Sequence, residues 1–122
     1  IHLAGFRPDA AAISGSCDLF VMPSLRREGL PRAVIEAMAQ SVPAIVTRVG
    51  GMPELVIDDA CGFVVPPGDP KALGHAISAL ADQPGKRQAF GAAARLRIET
   101  AFSVETSVDK TLALYKGLAP HR

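Results

Sequence analysis

Residues 18–40 read Asp18-Leu19-Phe20-Val21-Met22-Pro23-Ser24-Leu25-Arg26-Arg27-Glu28-Gly29-Leu30-Pro31-Arg32-Ala33-Val34-Ile35-Glu36-Ala37-Met38-Ala39-Gln40, and the pattern changes twice within them. The run 18–22 is apolar rather than alternating, as in a strand covered on both faces of a parallel sheet. A loop rich in Pro, Ser, Arg, Glu and Gly follows. From Pro31 the period becomes helical, with Val34, Ala37 and Met38 on one side and Arg32, Glu36 and Gln40 on another. Strand, loop and helix in this order form the first part of a βαβ unit.

The same grammar extends in both directions. Short apolar runs at 1–5, 44–47 and 62–65 are further expected strands, and the Ala-rich segment 8–14 is an expected helix. Alternation of strands with helices predicts right-handed crossovers and an open, parallel α/β sheet of about four strands flanked by helices. After Val65 the strands stop. Asp69 stands as an N-cap before Pro70 at a first helical position, and a helix is expected to about Ala81. The sequence Gln83-Pro84-Gly85 is read as a break before a helix over 86–100. Ser103 is read as the cap of a last helix with Val104, Val108, Thr111, Leu112 and Tyr115 at helical spacing. Internal repeats and linkers are absent, so the 122 residues read as one partial domain.

Composition narrows the functions open to such a chain. An apolar fraction of 48% with a net charge of +1 excludes disorder. Neither half carries the basic excess of a nucleic-acid footprint, and five Phe, one Tyr and no Trp leave little for base stacking. Cys17 and Cys61 are too few for a disulfide scaffold and are expected to be buried small hydrophobes in a reducing cytosol. No run reaches the ~18 apolar residues of a membrane span. Residues 1–5 lack the charged lead-in and cleavage site of a signal peptide. A start on Ile1, without Met, points to a piece of a longer protein. His2, His75 and His121 have no metal spacing and read as surface or packing residues. The patterns GxGxxG, GxxxxGK[ST] and GxSxG are all missing, which disfavours the usual dinucleotide, P-loop and hydrolase sites.

Ligands of open α/β sheets bind where strands end and loops lead into helices. In the loop 23–31, Leu30 cannot cap a helix that starts at Pro31. Free N–H groups at a helix N-terminus attract an anion, unless Ser24 or Glu28 folds back to cap it. Glu28 and Glu36 suggest a carboxylate pair. Two glycosidase acids stand ~5–10 Å apart across one bond, whereas eight helical residues span roughly 12 Å. The spacing suits an extended ligand gripped at two ends around an anionic centre, the shape of a nucleotide sugar. Pairing of Glu36 with Arg32 in solvent is the other reading. In a second loop, Gly50 and Gly51 permit φ > 0 or close approach to a ligand, and equally an ordinary turn.

The segments 20–24 (FVMPS), 28–39 (EGLPRAVIEAMA), 43–47 (PAIVT), 50–56 (GGMPELV) and 62–69 (GFVVPPGD) together resemble the retaining glycosyltransferases of family 4. The resemblance runs from residues 3–6 to 102–103. It implies a GT-B enzyme, of which this chain is part of the C-terminal, Rossmann-like donor domain, and a transfer usually without a metal. It further implies that Glu28 meets donor-sugar hydroxyls and Glu36 the ribose hydroxyls. Backbone N–H groups around Gly29 and Leu30 would face sugar and diphosphate, and Phe6-Arg7 would lie near the base. Ser24, Gly50 and Gly51 complete the expected donor site. Glu28 is the candidate catalytic residue, with no nucleophile role. The family's acceptor-binding N-terminal domain and the first strands of its donor domain have no counterpart here, nor has the Arg/Lys pair that neutralises the leaving diphosphate. Arg26 and Arg27 are partial substitutes or solvated surface residues.

The leading expectation is therefore a fragment, inactive when isolated, of a retaining hexosyltransferase. Its parent uses a nucleotide-sugar donor and no other cofactor, builds a polysaccharide or glycoconjugate on a sugar or lipid-linked acceptor, and is cytoplasmic or peripheral to the inner membrane face. A non-catalytic nucleotide-sugar-binding or interaction module of the same fold is the alternative, and a different nucleotide-handling α/β protein is a third reading. With strand order 3-2-1-4-5-6, the edge at 18–22 is expected to be uncovered. Either residues 1–5 then pair with it or two copies associate across it.

Overall fold

The computed structural model describes residues 1–118. Three parallel strands, β1 (Phe20–Met22), β2 (Ala44–Thr47) and β3 (Gly62–Val65), form a sheet in that order. Phe20 lies opposite Ala44, and Ala44 opposite Gly62. The helices are α1 (Ala10–Gly15), α2 (Arg32–Ala39), α3 (Met52–Leu55), α4 (Pro70–Ala81), α5 (Pro84–Ala101) and α6 (Val104–Leu118).

β2 is central and all four of its residues are buried. The pleat divides them between two cores. Ala44 and Val46 pack with Val34 and Met38 of α2, Met52 and Leu55 of α3, and Ala94 and Ile98 of α5. Ile45 packs on the other face with Val65, Ala76, Leu80 and Phe90. The apolar side foreseen for α2 is the side that is buried: Val34, Ala37 and Met38 are fully enclosed. Burial of each large side chain contributes ~1.5–3 kcal/mol, so the strand carboxyl ends are held by a core on each face.

Several expectations are corrected. Residues 1–5 form no strand, and Ile1 and Leu3 are exposed. A strand persists only where a neighbour takes its N–H and C=O groups, and among the described residues none reaches this segment. It does not pair with β1, whose single partner among the described residues is β2. The sheet thus has three strands, and β1 starts at Phe20, where its pairing with Ala44 begins, while Asp18 is exposed and lies 3.5 Å from Arg87. Cys17 is exposed, just beyond α1, while Cys61 is buried as expected. Pro84 begins α5 rather than breaking the chain before it, since proline fits the first helical position. The cap of α2 is Pro31 rather than Leu30, so the helix starts at Arg32, one position later than expected.

Other local readings hold. The Asp69 carboxylate accepts from the N–H groups of Lys71 and Ala72 at 3.0 and 2.9 Å, and Ser103 Oγ accepts from Thr106 N–H at 3.1 Å. α6 has the foreseen apolar spacing, but its Val104, Val108, Leu112 and Tyr115 are exposed. His2 and His75 are also exposed, and His121 lies outside the described residues.

Candidate functional site

The carboxyl ends of β1 and β2 lead into two loops, 23–31 and 48–51, that are bonded to one another. Thr47 Oγ donates to the Ser24 carbonyl at 2.6 Å. Gly51 N–H donates to the carbonyls of Glu28 and Gly29 at 3.1 and 3.2 Å. Gly50 has φ +54°, and a Cβ there would collide with the Glu28 backbone; one on Gly51 would crowd the Gly29 carbonyl. The close approach that the glycines permit is therefore made by the chain's own first loop.

This tie presents the start of α2. Pro31 at the cap has φ −68° and ψ 120°, and no side chain caps the helix. Ser24 and Glu28, the two side chains able to fold back, meet each other instead at 3.5 Å, the outer limit of a hydrogen bond. Val34 and Ile35 donate to the Pro31 carbonyl. The N–H groups of Gly29, Leu30, Arg32 and Ala33 find no acceptor among the described residues. Orphan donors and the helix dipole together make this terminus favourable for an anion.

Glu36 lies one turn inside the same helix. Its Oε1 takes Arg32 Nε at 2.7 Å, the local pairing weighed from the sequence. Arg32 is 90% exposed and the Glu36 side chain 35%, so the pair is a surface one, worth ~0.3–0.5 kcal/mol. The second carboxylate oxygen of Glu36 has no protein partner among the described residues. Glu28 and Glu36 thus bracket the uncapped terminus, one before it and one after it along the chain.

The structure directly joins Ser24, Glu28, Gly29, Gly50 and Gly51, with Leu30 beside Gly51. Phe6 and Arg7 are not joined to this group by any hydrogen bond or ion pair among the described residues. Phe6 is 94% exposed. Arg7 grips Asp9 with two hydrogen bonds, 2.8 and 2.7 Å, which hold the Asp9 carboxyl below its usual range and raise the Arg7 guanidinium. Thr47 was not foreseen. A hydroxyl closing an otherwise apolar strand was its one sequence signal. No helix among the described residues is long and apolar enough to cross a membrane. No group of three His, Cys, Asp or Glu able to hold a metal ion occurs among them either.

A sequence model of the family described as "Glycosyl transferases group 1" matches residues 1–97. The amylovoran biosynthesis glycosyltransferase AmsK of Erwinia amylovora is 29% identical over 126 residues, covering 98% of this chain and 31% of that protein. A glycosyltransferase structure from Rickettsia africae superposes with a TM-score of 0.91 at 27% identity, over 100% of this chain and 33% of its own. The structure of HepE from Anabaena in complex with UDP gives 0.88 at 27% identity, over 94% and 32%. The architecture is the parallel α/β layer of GT-B glycosyltransferases. The chain spans about a third of the length of these proteins.

Proposed function

Because the chain belongs to the group 1 glycosyl transferases, we propose that it is part of the donor-binding domain of an enzyme that moves a hexosyl group from a nucleotide sugar to an acceptor. One observation carries this reading: the α2 N-terminus is uncapped and is bracketed along the chain by Glu28 and Glu36. The donor diphosphate lies against the N–H groups of Gly29, Leu30, Arg32 and Ala33. Glu36 takes the ribose hydroxyls through its free oxygen, a charge-assisted contact. Glu28 meets the sugar hydroxyls and acts where charge develops. Gly50 and Gly51 hold the Glu28 loop in place, and Phe6 with Arg7 approaches the base. The UDP bound to the Anabaena neighbour supports a nucleoside diphosphate as ligand.

The order of motifs from Phe20 to Asp69 supports membership of family 4 and hence retention at the anomeric carbon. Meeting the diphosphate with N–H groups, the site calls for no metal. The acceptor is a sugar or a lipid-linked sugar held by parts of the protein outside this chain, on the cytoplasmic side of the membrane or at its inner face. The isolated chain transfers no sugar. Its unpaired β1 edge associates with a second copy, which light scattering at rising concentration would reveal; a monomer at every concentration contradicts that association.

The test is to incubate the full-length protein with nucleotide-diphosphate hexoses and follow release of the nucleoside diphosphate. NMR of the product then gives its anomeric configuration. Release from one donor, with the configuration kept, is expected. An inverted product removes retention. No binding or release with any donor favours an interaction module of the same fold.

A further inference from the structure

The arginines divide into two groups. Among the described residues, Arg7 pairs with Asp9, Arg32 with Glu36 and Arg95 with Glu99. Arg87 reaches Asp18 and two backbone carbonyls, and Arg97 binds the carbonyls of Glu54 and Leu55. Arg26, Arg27 and Arg48 are exposed and have no side-chain partner among the described residues.

These three belong to one small piece of structure. Ser24 is tied to Thr47 through the Thr47 hydroxyl, and Glu28 is tied to Gly51 through the Gly51 N–H. Segments 24–28 and 47–51 are therefore fastened at both ends. Arg26 and Arg27 fall between the ties on one segment and Arg48 between them on the other. Three arginines therefore stand on two segments tied to each other, on which Glu28 is the one acidic residue. Close placement of like charges is unfavourable until an anion arrives, and guanidinium forks suit phosphate oxygens.

We propose that Arg26, Arg27 and Arg48 form a cationic rim that binds a phosphate-type oxyanion at the Glu28 end of the site. This rests on the donor-site reading above. It adds cations to a terminus that otherwise offers neutral N–H groups. The oxyanion has two sources: the diphosphate of the donor, or an acid group on the acceptor beyond the sugar. Lone exposed arginines are usually solvated, but these three are the unpartnered arginines of the described chain and share one doubly tied loop pair.

The experiment titrates inorganic pyrophosphate into the full-length protein by calorimetry at two salt concentrations, for wild type and for R26Q/R27Q/R48Q. Wild type is expected to bind, more weakly at high salt, and the triple variant at least tenfold more weakly with an unchanged melting temperature. R26K/R27K/R48K retains part of the affinity if charge dominates, and loses most of it if the bidentate fork dominates; either supports the rim. A second titration uses inorganic phosphate with the donor present at saturation. Loss of phosphate binding assigns the rim to the donor diphosphate, and retained binding assigns it to the acceptor; both support the proposal. Equal pyrophosphate affinity for wild type and the glutamine variant overturns the rim while leaving the donor reading intact. So does donor binding by a wild type that ignores pyrophosphate. Wild type binding neither pyrophosphate nor any nucleotide sugar overturns the donor reading, and the rim with it.

Discussion

Gly50→Ala is the substitution that most sharply tests whether the two loops act as one body. Gly50 sits at φ +54°, where a side chain costs ~1–2 kcal/mol. Its added Cβ would also run into the Glu28 backbone, and overpacking adds ~1–3 kcal/mol. The total is roughly 2–5 kcal/mol, released only if loop 48–51 moves off Glu28. Gly68 is the internal control. It has φ +73°, but its Cβ would find only Leu25 Cδ2 at 4.0 Å, so Gly68→Ala incurs the ~1–2 kcal/mol conformational cost alone. Asn tolerates the left-handed region, so Gly68→Asn should recover much of the loss while Gly50→Asn, which keeps the clash, should not. Denaturant unfolding and donor titration of the full-length variants measure both effects. Gly50→Ala is expected to be less stable than Gly68→Ala and to bind donor at least tenfold more weakly. Equal destabilisation at the two positions, with donor affinity unchanged at both, would refute the loop tie as an element of the site.

Three further changes probe separate parts of the site. Glu36→Ala should weaken donor binding by ~1.5–3 kcal/mol through loss of a charged hydrogen-bond partner; an unchanged dissociation constant would reduce Glu36 to the partner of Arg32. Glu28→Gln should lower kcat more than it weakens binding of the free nucleoside diphosphate, because a group facing the reacting sugar acts most in the transition state. Parallel losses in both quantities would make Glu28 a loop brace. Thr47→Val keeps the shape but leaves the Ser24 carbonyl without its donor, costing ~1–3 kcal/mol of stability and loosening loop 23–31. A wild-type unfolding midpoint for Thr47→Val would show that the 2.6 Å bond is dispensable.

Patterns confined to one element were readable along the chain. The helical side of Val34, Ala37 and Met38, the Asp69 and Ser103 caps, and the apolar runs of β2 and β3 depend on residues within a turn or two of one another. Residues 1–5 have strand composition, but a strand also needs a neighbour to bond to. Cys17 is as apolar as Cys61, yet it falls at an exposed turn, while Cys61 lies in the core beside α3 and β3. The site divides along the same line. The spacing of Glu28 from Glu36 is local and could be read, and so could the want of a side-chain cap, although the cap falls on Pro31 and not on Leu30. The Thr47–Ser24 and Gly51–Glu28 ties join residues 23 apart in sequence, so the true use of the glycines, the buried Thr47 and the grouping of three arginines emerge only from the folded chain.

Hydrogen–deuterium exchange of the full-length protein with and without a saturating nucleotide sugar tests the donor site most directly, because it reports on the orphan N–H groups themselves. The account predicts slowed exchange in peptides spanning 28–36, weaker protection across 48–54, and none across 104–118. Protection confined to other segments, with the N–H groups of Gly29, Leu30, Arg32 and Ala33 exchanging as fast as in the free protein, would contradict it.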